Sequence, residues 1–302
     1  MIAPAEYACG HRGCHSPGMY RFNDGPARAT LARMPSVESH RYTPPPPLST
    51  YVECMWSRRG VIPRRKREYS MPTGSIDLVI NLRADRIRVF ESASDRIGIA
   101  SRGTIVHGAQ TRAFVLDDLQ TVHFVGVHFK PGGAGLLGVP ANELTDEHVG
   151  LDDLWGSRAL TLREQLLACR TPEDCFAVLE RELLTRLSAR VLVHPVISSV
   201  LRGKGAARVA DLQRDSGYSE RRFTSLFAQA VGLTPKKYLR IKRLAKVLRE
   251  ISHGHTSLAE VAASNGYADQ AHLVHDFREL TGMTPSAYKP STRSELHMEI
   301  RE

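Results

Sequence analysis

The last third of the chain repeats itself with a period close to fifty residues, and no other feature constrains the fold as tightly. Val209-Ala210-Asp211-Leu212 stands eight residues before Gly217-Tyr218, and Leu258-Ala259-Glu260-Val261 stands eight before Gly266-Tyr267. Further on, Phe227 precedes Gly232-Leu233-Thr234-Pro235 and Tyr238, as Phe277 precedes Gly282-Met283-Thr284-Pro285 and Tyr288. The second copy is one residue longer between its first glycine and its phenylalanine. Each copy has the layout of a helix-turn-helix: a short helix ends at a glycine that can take a positive φ, and a polar residue, Ser219 or Asp269, caps a second helix. Phe223, Leu226 and Phe227 face inward in the first copy, and Leu273, Phe277 and Leu280 in the second. The opposite faces carry Arg221, Arg222, Thr224, Ser225 and Gln229, or Gln270, His272, His275 and Arg278, side chains able to hydrogen-bond base edges in a major groove.

Between the copies, Lys236 to Ile251 reads as one helix, with Ile241, Leu244, Leu248 and Ile251 at steps of three and four. Its other face carries Lys236, Lys237, Arg240, Lys242, Arg243, Lys246 and Arg249. Alone, such a face is equally a solvated helix surface. Placed between two helix-turn-helix units, a helix of this length spans about 24 Å. That suits two recognition helices in major grooves that recur about every 34 Å along one face of DNA. Charge agrees: Arg202 to Lys289 holds 15 Lys plus Arg against 8 Asp plus Glu, so +7 of the net +9 lies there. Lys236, Lys237, Arg240, Lys242, Arg243 and Arg278 are the expected phosphate contacts, which position a protein without reading sequence.

Upstream the composition changes. Residues 1–39 are rich in Gly, Pro, Arg and Ala without a sustained period, and read as a mobile tail. After Pro44-Pro45-Pro46-Pro47, short runs alternate: Ile76, Leu78, Ile80 and Leu82 with polar or smaller neighbours, then Arg86 to Glu91, Thr104 to His107, Arg112 to Leu116 and Thr121 to Phe129. Their spacing of about ten residues suggests a small sheet or barrel over 40–156. A helical period follows over 157–192, where Thr171-Pro172 starts a helix with the stripe Phe176, Leu179, Leu183 and Leu187, read as intramolecular core rather than a dimer seam. The expected fold class is α+β: a β-rich, barrel- or cupin-like N-terminal domain, a helical connector, an all-α domain over 193–290, and a mobile tail over 291–302.

The region from Val193 to Pro290 resembles the DNA-binding domain of AraC/XylS-type bacterial transcriptional regulators, through both copies, the linker helix and the Gly282-Met283-Thr284-Pro285-Ser286-Ala287-Tyr288 closure. Residues 41–156 resemble a companion domain of one branch of these regulators, on Arg41-Tyr42, Tyr51-Val52-Glu53, Ile76-Asp77-Leu78-Val79, Gly126-Val127-His128-Phe129 with Pro131-Gly132-Gly133, and Leu151-Asp152-Asp153-Leu154-Trp155. The resemblance implies base contacts at Arg221, Thr224 and Ser225 and at Gln270, Ala271, His272 and His275. Ser225 and His275 stand where many relatives place arginine, which leaves Arg221 and Arg222 as the guanine readers and implies a different target. It also implies RNA polymerase as a partner and an N-terminal domain that senses a small-molecule effector or mediates association. A homodimer is left open.

Other constellations carry less. Hydrophobic residues make up 42% of the chain and charged residues 24%, which excludes a disordered or disulfide-dense scaffold. No run reaches the ~18 apolar residues that span a bilayer, and the N-terminus lacks the order of a secretory signal, so the expectation is a cytoplasmic protein away from membranes. Cys9, His11, Cys14 and His15 do not have the spacing of a known zinc module, and Cys169 and Cys175 read as inert thiols. His107, His123 and His128 lie on expected strands without the His-x-His pair of a cupin metal centre. There is no P-loop or nucleophile elbow, so neither cofactor nor catalysis is expected. The rival reading is a DNA-repair methyltransferase targeted by this module, with Cys54 as its nucleophile.

Overall fold

The computed structural model describes residues 37–61, 67–117, 121–187, 209–254, 257–291 and 294–299. Its strands are β1 (Glu38–Tyr42), β2 (Val52–Val61), β3 (Glu68–Ser70), β4 (Asp77–Asn81), β5 (Ile87–Phe90), β6 (Ile99–Ser101), β7 (Thr104–His107), β8 (Phe114–Leu116), β9 (Thr121–Phe129), β10 (His148–Gly150), β11 (Pro290–Ser291) and β12 (Ser294–Glu299). They form two six-stranded sheets, ordered β1-β2-β9-β4-β7-β10 and β11-β12-β3-β8-β5-β6. The class is α+β, with the β-rich half built as these two sheets.

Alternation decides what each strand buries. Leu78 and Ile80 of β4 join Val106, Val125, Val127 and Phe129 on one face of the first sheet. Val79, Ile105 and Phe124 turn the other way, against Ile87, Val89 and Phe114 of the second sheet. With both of its faces covered, the first sheet leaves no residue of β7 exposed. Gly126 is required where β9 runs between β2 and β4: a Cβ there would collide with the Trp56 indole and the Leu78 carbonyl.

The helices are α1 (Leu151–Trp155), α2 (Ser157–Leu167), α3 (Pro172–Leu187), α4 (Val209–Ser216), α5 (Glu220–Val231), α6 (Pro235–Ser252), α7 (Leu258–Ser264) and α8 (Gln270–Thr281). Pro172 starts α3, whose Thr171 hydroxyl accepts from the Asp174 N–H at 3.1 Å while the Asp174 carboxylate accepts from the Thr171 N–H at 3.1 Å. Phe176, Leu179 and Leu183 go into the largest core and Leu187 packs on its edge, the intramolecular fate expected for the stripe. That core also takes Leu233 and Ile241 from the helical region, and Met71 is in turn buried in the core of α6, α7 and α8. The β-rich and helical parts therefore share apolar cores. Among the described residues, no helix is long and apolar enough to cross a membrane.

The C-terminal end departs from expectation. Instead of a mobile tail from 291, β12 runs antiparallel to β3 with His297 opposite Ser70, Met298 opposite Tyr69 and Glu299 opposite Glu68. The run Ser294-Glu295-Leu296-His297-Met298-Glu299 carries little apolar signal; its strand form comes from backbone pairing with an open sheet edge. At the other end, β1 begins at Glu38, inside the last two residues of the expected N-terminal tail. Cys9, His11, Cys14, His15 and most of that tail lie outside the described residues, as do 188–208 at the connector boundary.

His107 and His148, opposite each other on β7 and β10, share an Nδ1 to Nδ1 hydrogen bond of 2.8 Å beside the Phe114 ring. Burial pushes His107 down to about 4 and His148 down to about 3. Both are neutral when folded, whereas the unfolded chain takes up protons below about pH 6.5. Stability is therefore expected to fall as the pH drops from 6.5 towards 4. For His107 the loss is up to about 1.4 kcal/mol per pH unit, with His148 acting in the same direction. Urea denaturation across this range checks it: the slope should shrink in His107→Gln, and an unchanged slope would remove the pair as its cause. His128, raised by the Asp77 carboxylate, does not add to this slope: its stabilisation is fully present below about pH 6.5 and is lost only as pH rises through its own raised pKa.

Candidate nucleic-acid interface

Two helix pairs present the expected layout. Gly217 at φ +70° and Gly266 at φ +71° turn the chain after α4 and α7. The Asp269 carboxylate then accepts the His272 N–H at 2.7 Å, capping α8 as expected, whereas Ser219 holds the N-cap position of α5 in extended backbone without a side-chain cap bond. Phe223, Leu226 and Phe227 are buried with Leu212 and Val231; Leu273, Phe277 and Leu280 are buried with Val261 and Tyr267.

The opposite faces stay open. On α5, Arg221, Arg222, Ser225 and Gln229 are exposed and Thr224 is half-buried. On α8, Gln270, Ala271, His272, His275 and Arg278 are exposed. His272 lies edge-on to Tyr267 with its Nδ1 accepting the Ala268 N–H at 3.4 Å, and His275 Nε2 sits 3.9 Å from Glu279. Lys236 and Lys237 are exposed in the first turn of α6, where the Thr234 hydroxyl accepts the Lys237 N–H at 3.4 Å.

One cation expected at phosphates is engaged elsewhere, and a second stands apart from the others. Arg240 pairs with Asp276 and makes a bidentate contact with Glu279 at 2.9 and 2.6 Å, tying α6 to α8. The buried Asp276 also accepts from the Tyr267 hydroxyl at 2.8 Å. Tyr267 is pushed well above the ordinary phenol range by burial and then by Asp276, while the Arg240 guanidinium holds Glu279 below its usual value. Lys242 is exposed, its ammonium 5.7 Å from the Tyr238 ring on the same helix. It keeps solvent contact, but crowding by surrounding protein lowers its pKa, with the charge of Glu53 opposing that shift. At 3.6 residues per turn, Lys242 stands about 120° around the helix from Lys236, so the basic residues do not form one face. Arg243 is half-buried, its guanidinium 4.9 Å from the Tyr267 ring.

Both recognition helices are held at their C-terminal ends by the β-rich part. The Thr145 hydroxyl donates to the Gly232 carbonyl after α5, and the Ala113 N–H donates to the Leu280 carbonyl of α8 at 2.9 Å. Gly232 has φ +88°, and a Cβ there would stand 3.0 Å from Ala109 Cβ and from the Ala141 carbonyl. These ties leave the N-terminal halves of α5 and α8 exposed. Sequence reasoning missed these ties and the Arg240 pairing alike; only the latter left a signal, since Asp276 falls on the inward side of α8, three residues after Leu273, where an acid needs a partner.

The residues weighed for other chemistry are not assembled for it. His128 Nδ1 pairs with Asp77 at 2.5 Å, His107 pairs with His148, and among the described residues no group of three or more His, Cys, Asp or Glu is placed to hold a metal. Cys54 is buried, accepting from an Arg41 N–H at 3.0 Å, and burial raises its thiol pKa. Burial also raises Cys169 and pushes Cys175 up to about 12. All three thiols are free and held protonated, the opposite of a nucleophile's setting.

Residues 212–291 match the family described as Helix-turn-helix domain, and residues 40–150 match the one described as Domain of unknown function (DUF6597). The probable transcriptional regulator LumQ of Photobacterium leiognathi is 29% identical over 154 residues, 51% of this chain and 58% of that protein. A putative AraC-like transcription regulator of Streptomyces lividans is 31% identical over 103 residues, 32% of this chain and 34% of that protein. The chain contains a helix-turn-helix domain, similar to that of AraC-like regulators. Its match to the invasion protein InvF of Salmonella typhi is 32% identical over 74 residues, 24% of the chain and 34% of InvF. It thus spans between about a third and 58% of the length of these relatives. Among solved structures, a point variant of apo ToxT of Vibrio cholerae superposes with a TM-score of 0.41 at 10% identity, over 78% of this chain and 96% of that one, too loosely to bear on function.

Proposed function

We propose that this chain is a sequence-specific DNA-binding transcriptional regulator that lays α5 and α8 in successive major grooves. The observation that carries this is the pair of recognition helices whose polar faces are open while their ends are fixed to α6 and to the β-rich part. Arg221 and Arg222 read guanine, Thr224 and Ser225 add contacts beside them, and Gln270, His272 and His275 read the second half-site. Lys236, Lys237, Arg243 and Arg278 supply phosphate contacts, Arg240 having been drawn into its ion pairs with Asp276 and Glu279 and Lys242 standing on another side of α6. The β-rich half senses a small-molecule effector or mediates association, and RNA polymerase is the partner of the assembled complex; the regulator names of the relatives support this reading.

Binding to a specific and a random duplex at several salt concentrations tests it. Arg221→Ala is expected to lose about 1 to 3 kcal/mol on the specific duplex only, relaxing preference at one position. Lys237→Ala should weaken both duplexes alike and lower the salt slope by about one. Equal losses on both duplexes for Arg221→Ala would contradict its role in reading sequence.

A further inference from the structure

The two recognition helices share one frame and differ in chemistry. Counted back from Gly232 and Gly282, Arg221 corresponds to Ala271, Thr224 to Val274 and Ser225 to His275. On α8 these side chains shape a shallow concavity lined by Gln270, Ala271, Val274, His275 and Arg278. Two of the five, Ala271 and Val274, offer only methyl groups. Val274 is half-buried and leans on the core of α6, α7 and α8, which keeps its β-branched side chain in place. The other three are an amide, an imidazole and a guanidinium, and all are exposed. An apolar hollow flanked by hydrogen-bonding groups, on the face turned away from the protein, matches one feature of the major groove. The thymine C5-methyl is the apolar group that the major-groove base edges present, on the same groove edge as the N6 and N7 of its paired adenine, which a glutamine reads bidentately.

We propose that the Ala271–Val274 hollow seats a thymine methyl group while Gln270 reads an adenine beside it, so that the half-site under α8 is an A·T-containing block and the half-site under α5, read by Arg221 and Arg222, a G-containing one. This rests on the assignment of α8 as a DNA-reading helix. Arg221 and Thr224 place polar heads at the positions of Ala271 and Val274, so the same base pair would not be read by both helices. His275 and Arg278 then border the neighbouring pair or its phosphate.

The test uses the full-length protein and the duplex it selects from random DNA. Each thymine of the block under α8 is replaced singly by deoxyuridine, which removes the methyl and leaves every hydrogen-bonding group in place. One replacement is expected to weaken binding about fourfold, the burial of a single methyl. Val274→Thr, close in shape but with a hydroxyl in the hollow, should abolish the difference between thymine and deoxyuridine. Ala271→Ser, at an exposed position that bears little on folding, should reduce it. Deoxyuridine without effect at every position, or a selected α8 block without thymine, overturns the inference while leaving the DNA-reading assignment intact. Failure to select any motif overturns that assignment, and the inference with it.

Discussion

Phe227→Ala is expected to cost about 3 to 5 kcal/mol of folding stability, the range for truncating a buried phenylalanine whose site cannot collapse. Phe227 is fully buried, and its ring stands 5.7 Å from Phe223 and 5.5 Å from Tyr238. Tyr238 in turn packs against the backbone at Gly74, 3.4 Å from where a Cβ would lie. The three rings thus form a column from the first recognition helix through the linker helix to the β-rich part. Each neighbour is anchored by its own element, so the vacated space stays open and the loss falls at the upper end of the range. Phe227→Leu keeps most of the volume and is expected to cost less than about 1.5 kcal/mol. Urea denaturation of both variants checks the pair. A loss below about 1 kcal/mol for alanine would show that the ring is not part of a close-packed column.

Arg240→Ala is expected to cost about 3 kcal/mol, because it strands the buried Asp276 carboxylate beside Tyr267 without its cation. The value sits at the low end for a broken buried pair because the Arg240 side chain keeps 29% of its exposure. Much of this loss reflects the unpaired acid rather than the attraction itself, so removing the acid as well should restore stability. Arg240→Ala combined with Asp276→Leu is expected to recover most of the loss, since Leu226 holds the corresponding place in the first copy. The double variant keeps a folded α8 but lacks its tie to α6, so it should bind the α8 half-site more weakly while still recognising the α5 half-site. A double variant as unstable as the single one would show that Arg240 acts through packing alone.

The frame of both helix-turn-helix units was legible because each element is local and periodic: Gly217 and Gly266 mark the turns, and Phe227 and Phe277 mark the inward stripes. The strands around Leu78 and Val125 were legible by the same alternation. The fate of the linker cations was not. A helical wheel separates polar from apolar positions but does not show which polar residues other elements claim, and Arg240 is claimed by Asp276 and Glu279, 36 and 39 residues away. The C-terminal strand was hidden for a related reason: β12 is held by backbone pairing to β3, more than two hundred residues earlier in the chain, and its side chains carry little periodic signal. The pairing of His107 with His148 depends likewise on the register of β7 with β10.

Selection of DNA by the full-length protein from a random pool at physiological salt tests the central claim most directly. The account predicts enrichment of a bipartite motif, a G-containing block and an A·T-containing block with centres about 10 base pairs apart, as two recognition helices fixed in successive major grooves require. Enrichment of no motif, or only a few-fold preference for any sequence, would contradict it and leave a non-specific DNA-coating protein in its place.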